Sequence, residues 1–151
     1  MLEKYLNNRF LTLYLIPFII GSLTVFTFQP YNLTFLNFLV LPIFFYLAVY
    51  INKKSKSTFR KKPHKTNLFI FGTLFGFGFY LSGISWITNS LTFDENFKVL
   101  IPFAIILIPL FLNLFMGFTV LIIGPLLNYN ISSIFIFSAA LGFSDFLRAK
   151  L

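Results

Sequence analysis

Five apolar stretches, each close to or above the ~20 residues a helix needs to cross a bilayer, fill most of this 151-residue chain: 10–28, 33–51, 68–91, 99–123 and 131–147. Short connectors separate them, so no length remains for a second folded unit in water. Composition points the same way. The chain is 58% hydrophobic and 11% charged, against about 45–50% and about 25% in soluble domains. The expected fold is all-α: a polytopic transmembrane helix bundle of about five spans, forming one domain over 1–151. The first stretch has a basic start, but no A-x-A-like small-residue site follows Phe28, so it reads as a retained helix rather than a cleaved leader.

The residue inventory excludes most chemistry. With no Cys there is no thiolate nucleophile, disulfide or Cys-ligated metal. A single His rules out the usual His₂ and His₃ metal sets. The four carboxylates, Glu3, Asp94, Glu95 and Asp145, are too scattered to suggest an acid/base pair. Neither catalytic residues nor a metal or cofactor are expected within these residues.

The net charge is +8, which in a soluble domain would suggest nucleic acid. Here Lys53, Lys54, Lys56, Arg60, Lys61, Lys62 and Lys65 crowd one connector, 52–67. That placement reads as membrane orientation, not nucleic-acid binding. With Lys4 and Arg9, one side of the membrane carries nine cations. The other carries three: Lys98, Arg148 and Lys150. The N-terminus and the basic connector are therefore expected in the cytoplasm, with 92–98 and the C-terminal end outside. The connector itself reads as a solvated loop attracted to anionic membrane lipids.

The third stretch is the most patterned. Gly72, Gly76 and Gly83 fall on one helical face, and Gly78, Ser82, Ser85 and Asn89 recur on a neighbouring one. The first stripe reads as a close-packing face and the second as polar groups turned into the bundle. A polar groove for a lipid headgroup is the functional alternative. Trp86, the only Trp, falls near the expected outer end, where an interfacial anchor is the default role. Asp145 and Arg148, spaced i, i+3 near a helix end, can pair on one face. They read either as a functional boundary pair or as a snorkelling Arg with its counter-ion.

Three segments carry a resemblance to a known family. Phe26-Thr27-Phe28-Gln29-Pro30-Tyr31-Asn32-Leu33 resembles an F-x-P-[FY]-N turn between the first two helices. Gly76-Phe77-Gly78-Phe79-Tyr80-Leu81-Ser82-Gly83-Ile84-Ser85-Trp86-Ile87 resembles a G-x-G-[FY]-[FY]-x-x-G-x-x-W stretch of the third. Ser144-Asp145-Phe146-Leu147-Arg148-Ala149 resembles an [ED]-x-x-R-[GA] element closing the fifth. In this order they resemble apolipoprotein N-acyltransferase, a bacterial inner-membrane enzyme. Two departures are Asp145, where Glu is more usual, and Ala149-Lys150, where Gly and an aromatic are more usual.

The resemblance implies phospholipid as acyl donor and a bacterial apolipoprotein as acceptor, with the C-terminal end periplasmic. It also implies further helices and a nitrilase-like domain with a Glu–Lys–Cys triad, none of which has a counterpart in these residues. The expected function is therefore the membrane-embedded amino-terminal part of such an enzyme, inactive alone and completed by a nitrilase-like domain or separate catalytic chain. Trp86, Asp145 and Arg148 are then candidates to lie near lipid or substrate. The alternative is a non-catalytic five-span scaffold or small transporter component. A transporter usually carries charges or broken helices at mid-membrane, and the spans carry none except Asp145 at one edge.

Overall fold

The computed structural model describes residues 8–29, 31–57, 64–91 and 101–150; side chains at 56–57 and 85–91 are outside the description. The described residues form five main helices: α1 (Leu11–Thr27), α2 (Asn37–Ser57), α3 (His64–Leu91), α4 (Ile101–Ile123) and α5 (Ile131–Lys150). Four contain apolar segments long enough to cross a membrane: Thr34–Ser55, His64–Ile84, Ile101–Leu126 and Ile131–Lys150. The chain is an all-α membrane protein.

With Arg9 and Phe10 already helical ahead of it, α1 covers nearly all of the expected 10–28. It opens with a π-helical turn, Leu11–Leu15, and ends in a 3₁₀ turn, Val25–Thr27. Pro17 accounts for the opening. Lacking an N–H, it cannot donate to the carbonyl four residues back, and just before it the Ile16 N–H reaches five residues back to the Leu11 carbonyl. At 1.5 Å per residue α1 spans about 25 Å, near the lower limit for a hydrocarbon core of about 30 Å.

Two other boundaries move for a different reason. α2 runs past residue 51 to Ser57, and α3 begins at His64 rather than 68. The polar residues there are not all solvated. Asn52, Ser55 and Asn67 are buried. Asn67 Nδ2 donates to Ser55 Oγ at 3.0 Å, and Asn52 Nδ2 donates to the Leu127 carbonyl at 3.5 Å. Their amide N–H groups are thus paired, which lowers the cost of burying them, while both Oδ1 atoms have no partner among the described residues; residues 52–57 and 64–67 of the expected solvated loop are helical.

α3 is the central element, packed most extensively against α4 and then α1. Between apolar helices in lipid there is little hydrophobic drive, so association depends on close approach and dispersion. Here approach reaches backbone contact. A Cβ on Gly21 of α1 would lie 2.0 Å from the Phe75 carbonyl oxygen, and one on Gly78 of α3 would lie 2.2 Å from that of Phe18. The core centres on Phe44 of α2, fully buried, with ring centroids 3.8 Å from Phe75, 5.2 Å from Phe71 and 5.4 Å from Phe137.

Candidate functional site

The α1–α2 turn places the first wall of the site. The Tyr31 and Asn32 N–H groups donate to the Phe28 carbonyl at 3.1 and 3.0 Å, and the Leu33 N–H donates to the Phe26 carbonyl at 3.0 Å. Asn32 has φ 52°, the left-handed region that Asn tolerates better than most residues. This tight reversal leaves Phe28 against Phe79, with ring centroids 5.8 Å apart, and Tyr31 edge-on to Phe26 at 4.9 Å. The turn thus sets Phe28 against α3 at the edge of the bundle and Tyr31 back against α1.

Behind this turn lies a cavity of about 400 Å³, within the roughly 300–1,000 Å³ range of small-molecule sites. Its walls come from α1, α2, α3, α4 and α5, and most are apolar: Phe28, Phe45, Phe75, Phe79 and Phe137 supply aromatic faces, Leu41 and Met116 aliphatic ones. Thr24, Asn37, Ser138 and Asp145 are its polar lining. Pro42 also lines it, inside α2, where it cannot donate to the carbonyl one turn back. All of this suits a flexible hydrocarbon with one polar end.

That polar end has a defined neighbour. Arg148 Nη1 donates to Tyr80 Oη at 2.8 Å, and Arg148 Nη2 lies 3.3 Å from Asp145 Oδ1. The guanidinium carbon also sits 5.2 Å from the Tyr80 ring centroid. One cation therefore ties α5 to α3 while pairing with the carboxylate at the cavity lining. Arg suits this role because its planar fork can serve two acceptors at once. Tyr80 is 5% exposed, and sequence reasoning overlooked it. The available signal was a phenol in an apolar helix, which usually needs a polar partner when buried.

The other candidates separate. Gly72 and Gly76 face α4: added Cβ atoms would meet the Met116 carbonyl oxygen at 2.7 Å and Met116 Cβ at 3.0 Å. Gly83, assigned by spacing to the same face, instead has Val25 of α1 as its nearest neighbour, at 3.8 Å. The stripe is thus divided between two partners. On the neighbouring face Gly78 packs on α1, and Ser22 of α1 donates to the Gly78 carbonyl at 3.3 Å. Trp86, Ser85 and Asn89 belong to α3, with side chains outside the described residues. Asn113 of α4, not singled out from sequence, is 2% exposed beside Gly76, and its Oδ1 has no hydrogen-bond partner among the described residues.

Known proteins bear on this arrangement. The family model described as the apolipoprotein N-acyltransferase N-terminal domain matches residues 20–151. An apolipoprotein N-acyltransferase of Brucella suis biovar 1 is 26% identical over 136 residues, covering 89% of this chain and 25% of that protein. One from Agrobacterium fabrum is 36% identical over 81 residues, 53% of this chain and 15% of the relative. One from Brucella melitensis biotype 1 is 33% identical over 78 residues, 51% and 15% respectively. The chain spans a quarter or less of the length of these relatives. No solved structure matches it. With the turn, the glycine contacts and the Asp145–Arg148 pair all falling inside the matched span, the chain belongs to the apolipoprotein N-acyltransferase N-terminal domain family.

Proposed function

We propose that this chain is the membrane-embedded amino-terminal part of a lipoprotein N-acyltransferase and that its cavity holds an acyl chain of the phospholipid donor. The observation that carries this reading is the joining of an apolar cavity of about 400 Å³ to the Asp145–Arg148–Tyr80 cluster. A hydrocarbon tail gains about 0.8 kcal/mol per buried CH₂ relative to water. Relative to lipid it gains almost nothing, so the cavity orients the donor rather than extracting it. Orientation is what a transfer reaction needs, since holding the reactants in place removes much of the entropic barrier.

The chemistry itself is placed elsewhere. Acyl transfer through a thioester needs an activated thiolate and an oxyanion-stabilising group, and these residues include no Cys. In this reading a nitrilase-like domain or chain supplies the nucleophile, and the acceptor is the terminal amine of a bacterial apolipoprotein. The bundle lies in the bacterial inner membrane, N-terminus and basic connector cytoplasmic, with the Arg148 end periplasmic.

The test joins the chain in frame to the remaining length of the Brucella suis relative and assays N-acylation in a host lacking the enzyme. The fusion is expected to transfer, and the 151 residues alone are not. In the fusion, Ser138→Phe fills the cavity and should raise the KM for phospholipid at least tenfold, whereas Ala139→Phe, one residue away and outside the lining, should not. Arg148→Ala should cost more activity than Lys150→Ala. Transfer by the unextended chain, or equal effects of the two Phe substitutions, would refute the reading.

A further inference from the structure

At the opposite end of α2 from the cavity, a second cluster combines a cation with phenols. Lys53 Nζ lies 4.3 Å from the ring centroid of Tyr129, which belongs to the α4–α5 connection. Tyr129 and Tyr46 have ring centroids 5.5 Å apart, and Tyr46 stacks along α2 on Tyr50 at 6.5 Å. Lys53 is exposed, and Tyr46 and Tyr129 are each nearly half exposed, so the cluster opens outward from the bundle. None of its residues lines the cavity. Eight residues of helix separate Phe45, the last α2 residue at the cavity, from Lys53, about 12 Å along the axis.

The same face of α2 continues inward. Leu39, Ile43, Tyr46, Tyr50 and Lys53 follow one another at four, three, four and three residues, a single helical stripe. Leu39 and Ile43 are exposed apolar residues. From Leu39 to Lys53 the stripe is about 21 Å long, somewhat more than the ~15 Å of one leaflet's hydrocarbon. It is apolar at depth, phenolic higher up and cationic at the end.

We propose that this stripe and Tyr129 bind one anionic phospholipid in the leaflet at the basic end of the bundle, its phosphate between the Lys53 ammonium and the Tyr129 hydroxyl and its chains along α2. Charge complementarity selects the headgroup. Among the described residues the only acidic one, Asp145, is at the other end of the molecule, so no described carboxylate faces the ammonium of a zwitterionic lipid. Burial and the neighbouring Tyr46 hydroxyl raise the Tyr129 pKa, which keeps its hydroxyl protonated as a donor. A Lys above an aromatic face is also held near one position, which lowers the ordering cost of binding.

The full chain, in a neutral detergent, is titrated with phosphatidylglycerol, phosphatidylcholine and inorganic phosphate while thermal unfolding is followed. Phosphatidylglycerol should raise the apparent Tm well above the other two. One Lys near a membrane surface is worth enough that Lys53→Gln should require about fivefold more phosphatidylglycerol for the same shift. Tyr129→Phe should weaken binding less, and Lys53→Arg should retain it. Lys65→Gln, an exposed cation on α3 away from the stripe, should change the requirement less than twofold. Equal stabilisation by phosphatidylcholine or phosphate would overturn the proposal. So would equal losses for Lys53→Gln and Lys65→Gln, which would mean diffuse attraction without a site. The unliganded Tm of each variant distinguishes lost binding from lost folding.

Discussion

Gly21→Ala tests how α1 is held. Its new Cβ would sit 2.0 Å from the Phe75 carbonyl oxygen and 2.9 Å from its carbon. Ordinary contact needs about 3.5 Å, so α1 must withdraw by roughly 1.5 Å. No side chain can rotate away, because the obstacle is α3 backbone. The withdrawal also loosens the reciprocal contact of Gly78 with Phe18 and the Ser22 hydrogen bond to the Gly78 carbonyl. Overpacking of this kind costs about 1–3 kcal/mol, and a rigid obstacle puts this site at the upper end. Ala returns up to about 1 kcal/mol of helix propensity, leaving a net loss of about 2 kcal/mol. For a chain of this size that is a fall of roughly 4–8 °C in Tm. Gly83→Ala is the control. Its nearest neighbour would be 3.8 Å away, so only the propensity gain remains, and Tm should hold or rise slightly. Both variants, purified in the same detergent, are compared by thermal unfolding. Equal Tm values would refute the backbone-contact account of the α1–α3 interface.

Three further outcomes follow from named contacts. Tyr80→Phe removes the hydroxyl that accepts from Arg148 and should lower stability by about 1.5 kcal/mol; an unchanged Tm would show that the Arg148–Tyr80 bond contributes nothing. Ser55→Ala leaves the buried Asn67 amide without its acceptor and should cost about 1–2 kcal/mol, while Ser55→Ala with Asn67→Leu should recover most of it, because losing both partners is cheaper than stranding one. Single cysteines at Ser57 and Asn96, read by an impermeant thiol reagent in intact cells, should be labelled at 96 and not at 57; the reverse would overturn the proposed orientation.

Sequence alone determined the fold class and the rough position of every helix. The bilayer makes unsatisfied backbone so costly that a long apolar run has one available solution. It also marked segments that build the site: Asp145–Arg148 at i, i+3 is a local pairing readable from spacing, and the α1–α2 turn was marked by its resemblance to the family element. Tertiary structure decided the rest. That Tyr80 meets Arg148 across 68 positions depends on how α5 lies against α3, which no local pattern encodes. Gly83 and Gly76 share a face in sequence yet meet different helices, because helical periodicity gives the direction of a residue but not the neighbour found there. The extension of α2 and α3 into the two ends of the basic connector has the same origin. Asn52, Ser55 and Asn67 look like solvated residues on any hydropathy scale, and they remain helical and buried because each side chain finds a hydrogen-bond partner on another helix or connection. The cavity exists only as the gap left when five helices converge, so it follows from their packing and not from any one segment.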